Sequence, residues 1–524
     1  MIRRPMTVAM AIALVTAAPA SAQTFPTDDP VIQRMWQLGM EESQAARLAQ
    51  VLLDSIGPRL TGSPGIQAGS DWLVRTYESW GIPARNAQYG TWLGWRRGTT
   101  DIALTSPRVR SLEGTMLAWS AGTDGPVEGP VVALPEFSSP SEFEAWLPEA
   151  AGKFVAADLA QPTCRPDSQW EEYALAASFE RMQQDRDEAR GRWTVWRGEG
   201  AESIGTNGIR ARLEEAGAIG VLHSNWSNDY GVNKVFGTPL RRIPTLDLSC
   251  EDYGLVFRLA RSGQGPRVRV SADAEYLGEV PVFNTIAELR GRELPDEYIV
   301  LSAHFDSWES SSGATDNGTG TITMLEAMRI LKLAYPEPRR TILVGHWSGE
   351  EQGLNGSRAF AHDNPEVVEG LQALFNQDNG TGRVVRIGMG GLTGAAAHFG
   401  DWVTRLPTEI SEHIQLMIPG SPAGGGSDHA SFACSGAPAF GLGALSWGYG
   451  TYTWHTNRDT FDKVVIDDLK NNATLTAMLA YLASEDPNSV PRERRVPGTG
   501  RGGRPQTWPT CRDGARTSEA YFAR

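Results

Sequence analysis

Apolar and polar positions alternate in blocks through the second half of the chain. Short apolar runs predict buried strands, and each is followed by a turn or by a longer block with helical spacing. Polar residues collect where the predicted strands end, which is where open α/β sheets place their sites. The predicted strands are 282–289, 298–302, 341–345, 372–375 and 384–387, and the predicted helices are 318–333 and 469–483.

The first half of the chain carries a different pattern. Residues 28–56 have helical spacing and predict two short packing helices. From 121 to 277, short β-like runs are separated by glycine and proline, and no cluster has the spacing of ligands or nucleophiles. We therefore expect a β-rich insert with no chemistry of its own at 121–277, which divides an α/β domain into 23–120 and 278–486. Arginine, proline and glycine dominate 487–524 and predict a poorly ordered or surface-draped tail.

The amino terminus has the pattern of an export signal. Arg3 and Arg4 give a basic start, residues 6–18 are apolar, and residues 20–22 form a small-residue cleavage site. The apolar run is too short to span a bilayer, which disfavours the alternative of an N-terminal anchor helix, and no later segment approaches a membrane span. We therefore expect residues 1–22 to be a signal peptide and the mature protein to be periplasmic or secreted.

Composition narrows the class of protein further. With 524 residues, of which 40% are hydrophobic and 21% charged, the chain is globular and long enough for two or three domains. A formal net charge of −14 argues against nucleic acid and anionic membrane surfaces as partners.

The four cysteines permit two disulfides in an exported chain, with three possible pairings. Their spacing suits neither a zinc ribbon nor a redox pair. We favour Cys164–Cys250 because both residues fall in the predicted insert.

Imidazoles and carboxylates follow the predicted strand ends after residue 300. A set of this kind without thiolate suits zinc in a catalytic, partly open site. Five ligands are too many for one tetrahedral zinc, but they fit two zinc ions that share one carboxylate. We assign His304, Asp378 and Asp316 to one ion, and Glu351, His455 and Asp316 to the other.

Two further acids have predicted roles in catalysis. A hydroxide held between the two ions would attack a carbonyl. Glu350 adjoins a ligand yet is free, so we expect it to act as general base and to deliver the proton to the leaving amine. Asp306 lies two residues from His304 along a strand, so its side chain points the same way and can orient that imidazole.

The ordered series of motifs resembles the co-catalytic zinc exopeptidases, a family that includes bacterial leucyl aminopeptidases, glutamate carboxypeptidase and carboxypeptidase Q. The matching segments are HFDSW, TDNGTG, SGEEQGLNGS, NQDN, GGSDHASF and WHTNRDTFDKV. The resemblance implies the same five ligands and the same general base, and a mixed, mostly parallel sheet flanked by helices. Within the insert, GKFVAAD, GIRARLEEAGAIGVL and IPTLDLSCEDY resemble the protease-associated domain that many members carry.

The residues and the resemblance together favour an exported di-zinc exopeptidase with a peptide substrate, and an aminopeptidase in particular. One alternative is a carboxypeptidase or dipeptidase of the carboxypeptidase Q type. Another is a non-catalytic binding protein of the transferrin-receptor type, which the complete ligand set disfavours. A basic residue in the pocket would indicate binding of a free carboxylate, and an acidic residue would indicate binding of a free amine. The sequence leaves that choice and the oligomeric state open.

Four other residues near the motifs have predicted roles in binding or packing. His429 follows three glycines and either lines the substrate pocket or makes structural hydrogen bonds. Tyr452 is close to His455 in sequence, and we predict that it donates to the tetrahedral intermediate. Trp308 and Trp447 fit either a specificity pocket or core packing. A serine hydrolase is disfavoured because no G-x-S-x-G elbow surrounds any serine.

Overall fold

The computed structural model describes residues 28–197, 205–495, 498 and 507–522, so the predicted signal peptide lies outside the described residues. The third helix begins at a serine cap, where the Ser63 hydroxyl accepts from the Ile66 N–H and proline occupies the first turn. The first elements are α1 (Pro30–Trp36), α2 (Ala45–Gln50), α3 (Pro64–Ser79), β1 (Ala84–Ser106), β2 (Arg110–Ser111), β3 (Gly114–Met116) and β4 (Val127–Ala133).

Residues 121–277 contain short strands and helices around two small apolar clusters. Two of the helices, at residues 167–173 and 176–197, are separated by Ala174 and Leu175. The elements that follow β4 are α4 (Pro140–Trp146), β5 (Phe154–Ala156), α5 (Asp167–Tyr173), α6 (Ala176–Arg197), α7 (Gly205–Glu215), β6 (Gly220–His223), β7 (Thr245–Leu248) and α8 (Cys250–Arg261).

The remainder of the chain alternates strands and helices, as the apolar pattern predicts. The later elements are β8 (Arg267–Leu289), β9 (Leu294–His304), α9 (Thr319–Ala334), β10 (Arg340–Trp347), α10 (Asn355–Asp363), α11 (Pro365–Glu369), β11 (Leu371–Asn376), β12 (Val384–Gly388), α12 (Ala395–Thr404), α13 (Thr408–Ser411), β13 (Gln415–Met417), α14 (Ala430–Ala433), β14 (Ala439–Ala444), α15 (Ile466–Glu485) and α16 (Ser518–Phe522).

The central sheet has the order β13-β12-β14-β11-β9-β10-β8. Strands β10, β9, β11 and β14 run parallel to one another. Strand β8 pairs antiparallel with β10, and β12 pairs antiparallel with β14 and parallel with β13. Helices α9 and α15 pack together on one face, and their apolar side chains join the larger core cluster. This architecture confirms the expected mixed, mostly parallel sheet flanked by helices.

Two long strands connect the central sheet to residues 121–277. Strand β1 pairs antiparallel with β8 along both their lengths, from Ala84↔Ala287 to Ser106↔Arg267. At its far end β8 also pairs with β4, so the strands of the insert continue the same sheet. The apolar pattern did not predict β1, because its alternation is interrupted by register shifts near Gly90 and Gly94.

Two disulfides join distant parts of the chain. Cys164–Cys250 lies within the insert and confirms the favoured pairing. Cys434–Cys511 ties residues 507–522 to the end of α14, and Arg516 forms an ion pair with Asp363 at the end of α10. Among the described residues, no helix has the length and apolarity needed to cross a membrane.

Candidate metal centre

The predicted site residues meet at the carboxyl ends of the central parallel strands. His304 is the last residue of β9, and Asp378 follows β11. Asp316 lies in the turn 314–318 that leads into α9, and Glu351 follows β10. His455 comes from the loop between β14 and α15. Because parallel strands end at a common edge, segments far apart in sequence deliver their side chains to one place.

The first group of potential ligands surrounds the Nε2 atom of His304. This atom lies 3.2 Å from Asp378 Oδ1 and 3.4 Å from Asp316 Oδ1. All three side chains are largely or fully buried. One imidazole nitrogen and two carboxylate oxygens thus converge on a single point.

The second group surrounds the Nε2 atom of His455. This atom lies 2.8 Å from Glu351 Oε2 and 3.3 Å from Asp316 Oδ2. In each group the ligand atoms lie within 4.8 Å of one another. Asp316 therefore directs one carboxylate oxygen to each histidine, which is the arrangement required of a bridging ligand.

The residues fit a pair of metal ions by their chemistry as well as their positions. Asp316 Oδ2 and Glu351 Oε1 are buried and have no hydrogen-bond partner among the described residues. A buried carboxylate oxygen without a hydrogen-bond partner is unfavourable unless a cation or a proton neutralises the group. Imidazole and carboxylate ligands, three for each ion, match a catalytic zinc site that retains an open position.

The electrostatic environment shows the same need for positive charge. Burial, together with the neighbouring carboxylates, raises the pKa of Glu350 and of Glu351 well above the ordinary value. Burial disfavours the charged imidazole of His304, but the carboxylates of Asp378 and Glu350 outweigh it and raise the pKa of His304. Burial lowers the pKa of His455 to about 4, so this imidazole is neutral and able to ligate.

Asp306 supports the centre in two ways. Its backbone carbonyl accepts a hydrogen bond from His304 Nδ1 at 3.0 Å, which leaves Nε2 free to face the metal position. Its carboxylate is fully buried and accepts from the backbone N–H groups of Glu350 and Glu351 at 3.1 and 3.2 Å. The side chain therefore fixes the β10 loop relative to β9, while the backbone orients the imidazole.

Asp459 and Trp308 support other residues of the centre. The Asp459 carboxylate accepts from the backbone N–H groups of Thr315 and Asp316 at 2.7 and 3.0 Å, so it holds the turn that carries the bridging candidate. Burial raises the pKa of Asp459 to about 7. Trp308 Nε1 donates to Glu351 Oε2 at 2.8 Å. The motif WHTNRDTFDKV contains Asp459, but the sequence alone gave it no role. Its position shortly after His455 in that motif could have indicated a role at the centre.

A cavity of about 400 Å³ opens beside the centre. Such a volume suits one end of a peptide or a small molecule. Glu350 lines this cavity together with the candidate ligands Asp316, Glu351, Asp378 and His455. The remaining wall is formed by Gly353, Leu354, Arg358, Gly425, Gly426, Tyr449 and Trp454.

Residues predicted to bind substrate, His429 and Tyr452, are not among those that line this cavity. Tyr449 lines it, whereas Tyr452 does not and instead lies under the Lys463 ammonium, 5.9 Å from the ring centroid. His429 is likewise outside the lining, and burial lowers its pKa to about 4. Trp447 is 63% exposed and donates to Asp468. The roles predicted for Tyr452 and His429 stay predictions.

The insert contacts the loop that carries His455. Val235 N donates to the His455 carbonyl at 2.8 Å, and the Phe236 ring meets the imidazole edge-on with centroids 5.0 Å apart. His455 has a φ of 60°, a left-handed conformation that is uncommon for a residue with a side chain and therefore needs support. Sequence reasoning expected no chemistry from the insert, and the structure shows that the insert holds one candidate ligand in place.

Similarity to known proteins extends over most of the chain. Residues 284–480 match the model of Peptidase family M28. Carboxypeptidase Q from Bos taurus is 24% identical over 455 residues, which cover 87% of this chain and 88% of the relative. Leucine aminopeptidase 1 from Pyrenophora tritici-repentis is 30% identical over 213 residues, which cover 37% of this chain and 54% of the relative.

Solved structures share the fold. A Peptidase M28 precursor from Shewanella amazonensis has a TM-score of 0.63 at 22% identity and covers 88% of this chain and 98% of its own. A zinc aminopeptidase from Bacillus subtilis has a TM-score of 0.52 at 17% identity and covers 85% of this chain and 96% of its own. Taken together, the matches identify the chain as a metallopeptidase, which confirms the resemblance to zinc exopeptidases.

Proposed function

We propose that the protein is an exopeptidase that holds two zinc ions and hydrolyses the terminal peptide bond of short peptides. His304, Asp316 and Asp378 would hold one ion, and Asp316, Glu351 and His455 the other. The observation that carries this proposal is the position of Asp316, whose two carboxylate oxygens face different histidines at 3.4 and 3.3 Å. A single-ion site would leave one of these histidines without a function.

When bound, two zinc ions in such a site lower the pKa of a shared water molecule and polarise the scissile carbonyl. Glu350 belongs to neither ligand group and lines the cavity, so it is placed to accept the proton of the attacking water. A carboxylate in this position can act first as general base and then as general acid. The protonated Glu350 then supplies the proton that the leaving amine requires.

The surroundings of Glu350 determine where it works. Its backbone N–H is held by the Asp306 carboxylate at 3.1 Å, and that carboxylate is itself fully buried. The backbone that carries the Glu350 side chain is therefore held in a fixed position relative to His304. A catalytic carboxylate with this degree of support favours an enzyme over the non-catalytic alternative.

The size of the cavity supports exopeptidase activity. Its volume of about 400 Å³ is sufficient for a terminal residue with the adjoining peptide bond. The relatives include both carboxypeptidase Q and an aminopeptidase, so both ends of a peptide are consistent with the family. The two disulfides also support the expected export of the protein to the periplasm or the medium.

Metal removal and reconstitution test this function. The purified protein should contain close to two zinc ions per chain by atomic spectrometry. A chelator should abolish hydrolysis of a mixed panel of dipeptides, and added zinc should restore it. Full peptidase activity in protein shown to be free of metal would contradict the proposal.

A further inference from the structure

Segment 231–237 of the insert is attached to the loop of the metal centre. Residues 234 and 456 form an antiparallel bridge, and Val235 N donates to the His455 carbonyl at 2.8 Å. Asn233 N donates to Asn457 Oδ1 at 2.9 Å. These bonds fix the backbone of Lys234 beside a candidate zinc ligand.

The Lys234 side chain packs against one residue of the cavity wall. Its ammonium nitrogen lies 4.3 Å from the centroid of the Trp454 ring, and Trp454 lines the cavity. Lys234 is half-buried, and burial lowers its pKa in spite of the opposing charge of Asp316. The ammonium therefore stands at the edge of the site and within its electrostatic field.

Lys234 lacks the partner that similar lysines have. Within 28–197, 205–495, 498 and 507–522, no carboxylate lies at ion-pair distance from its ammonium. By contrast, Lys463 lies over Tyr452 on the same loop and forms an ion pair with Asp462, and Lys153 forms one with Glu149. A half-buried ammonium without a counter-ion is unfavourable unless a ligand supplies the negative charge.

The charges of the cavity point to a substrate carboxylate rather than a substrate amine. The carboxylates that line it are Asp316, Glu351 and Asp378, which are needed as ligands, and Glu350, which is needed as the base. Among the lining residues no acidic side chain is left to bind an ammonium group. Arg358 places a positive charge on the cavity wall.

We propose that Lys234 binds the free α-carboxylate of the substrate, so that the enzyme releases the residue at the carboxyl end of dipeptides and other short peptides. The inference rests on the proposed exopeptidase function and replaces the aminopeptidase activity that the sequence favoured. One residue spans about 3.3–3.6 Å, so the carboxylate that follows the attacked bond must be anchored next to the metal ligands. Lys234 meets this condition because its backbone is bridged to the neighbour of His455.

End-blocked dipeptides test the proposal with the zinc-loaded, full-length protein. N-acetyl-alanyl-leucine keeps the carboxylate, whereas alanyl-leucinamide keeps only the amine. We expect kcat/KM for the acetylated peptide to exceed that for the amide by about 10-fold or more, since a charge-assisted hydrogen bond is lost in the amide. The opposite preference would overturn the proposal.

Variants of the lysine assign the effect to this side chain. Lys234→Met should lower kcat/KM for N-acetyl-alanyl-leucine by roughly 10- to 100-fold, mainly through KM, and should leave alanyl-leucinamide almost unchanged. Lys234→Arg should restore part of the loss. The matched control Lys463→Met removes another lysine stacked on an aromatic ring and should leave both rates unchanged. Equal losses on both peptides in Lys234→Met would overturn the proposal.

Ligand binding gives a readout that is independent of turnover. Zinc content should be the same in Lys234→Met and wild type, whereas calorimetric binding of leucine, a product with a free carboxylate, should weaken about 10-fold or more in the variant. Unchanged leucine binding would overturn the role of Lys234. If the wild-type protein binds zinc but hydrolyses neither these peptides nor unblocked alanyl-leucine, the proposed exopeptidase function fails instead.

Discussion

The two halves of the candidate metal centre are built in different ways. His304 and Asp378 follow β9 and β11, which are adjacent parallel strands with the register Ser302↔Asn376. His455 lies on a loop, in a left-handed conformation, and is held by Val235 and Phe236 of the insert. The sheet supports the first half, and a distant segment of the chain supports the second.

Because of this difference, a folded central sheet is not sufficient to complete the candidate metal centre. We expect His304 and Asp378 to have their positions once the central sheet is folded. We expect the position of His455 to depend also on its contacts with Val235 and Phe236. We therefore expect the two halves to respond differently to substitutions, with Asp316 as the residue that both require.

The largest effect is expected for Asp316→Asn. This change removes charge from the oxygens that face His304 and His455, so both zinc ions should be lost and activity should fall by more than the roughly 10- to 100-fold typical of changes to supporting residues. Metal content and kcat/KM measure the effect, with the exposed Asp462→Asn as control. Loss of only one zinc would show that Asp316 belongs to one half.

The Glu350→Gln variant should separate catalysis from metal binding in both halves. Glu350 belongs to neither ligand group, so zinc content should stay at the wild-type value. Loss of the base should lower kcat by about 10²- to 10⁴-fold. Activity near that of the wild type would rule out Glu350 as the general base.

Substitution of Phe236 tests the half that depends on the insert. Phe236→Ala removes the ring that meets His455 at 5.0 Å, and we expect the affinity for one of the two zinc ions to fall by roughly 10- to 100-fold. Competition with a chromophoric chelator should then show two unequal steps. Phe137→Ala is a matched control, since Phe137 packs against Phe143 elsewhere in the insert. Equal weakening of both ions would contradict the division into two halves.

The smallest effect concerns the pH tolerance of the sheet that supports the first half. His346 of β10 is fully buried and lies 2.7 Å from the Tyr77 hydroxyl, and burial lowers its pKa from 6.5 to about 3. Between these values the unfolded chain binds a proton that the folded chain does not, so the stability contributed by neutral His346 is complete above pH 6.5 and is lost as the pH falls towards 3.

His346→Gln should reduce this pH dependence in metal-free protein. The difference in unfolding free energy between parent and variant should change by at most about 1.4 kcal/mol per pH unit across that window. Urea unfolding at pH 7, 6 and 5 measures it, with the exposed His362→Gln as control. Parallel pH profiles for parent and variant would show that His346 does not limit the acid stability of the sheet.

The same comparison explains what the sequence could predict. His304, Asp316 and the two glutamates lie at or near the ends of apolar runs, so local pattern and spacing were sufficient to place them together. The contacts of Lys234 and Asp459 join segments more than 100 residues apart, and no local pattern contains that information.

The sequence pattern also failed to predict two other features, in each case because of the local backbone conformation. Tyr449, rather than Tyr452, lines the cavity. Residues 449–453 form a π-helical turn, so their side chains point in other directions than those of an ordinary loop. Strand β1 has glycines at register shifts, which break the alternation on which strand prediction depends.

The Asp306 carboxylate has a consequence for how metal enters the site. It holds the backbone of Glu350 and Glu351 at the end of β10 without any contribution from an ion. The conformational entropy of this loop is therefore lost when the chain folds, and not when zinc arrives. A preorganised loop of this kind favours rapid loading, because the ion meets most of its ligands already assembled.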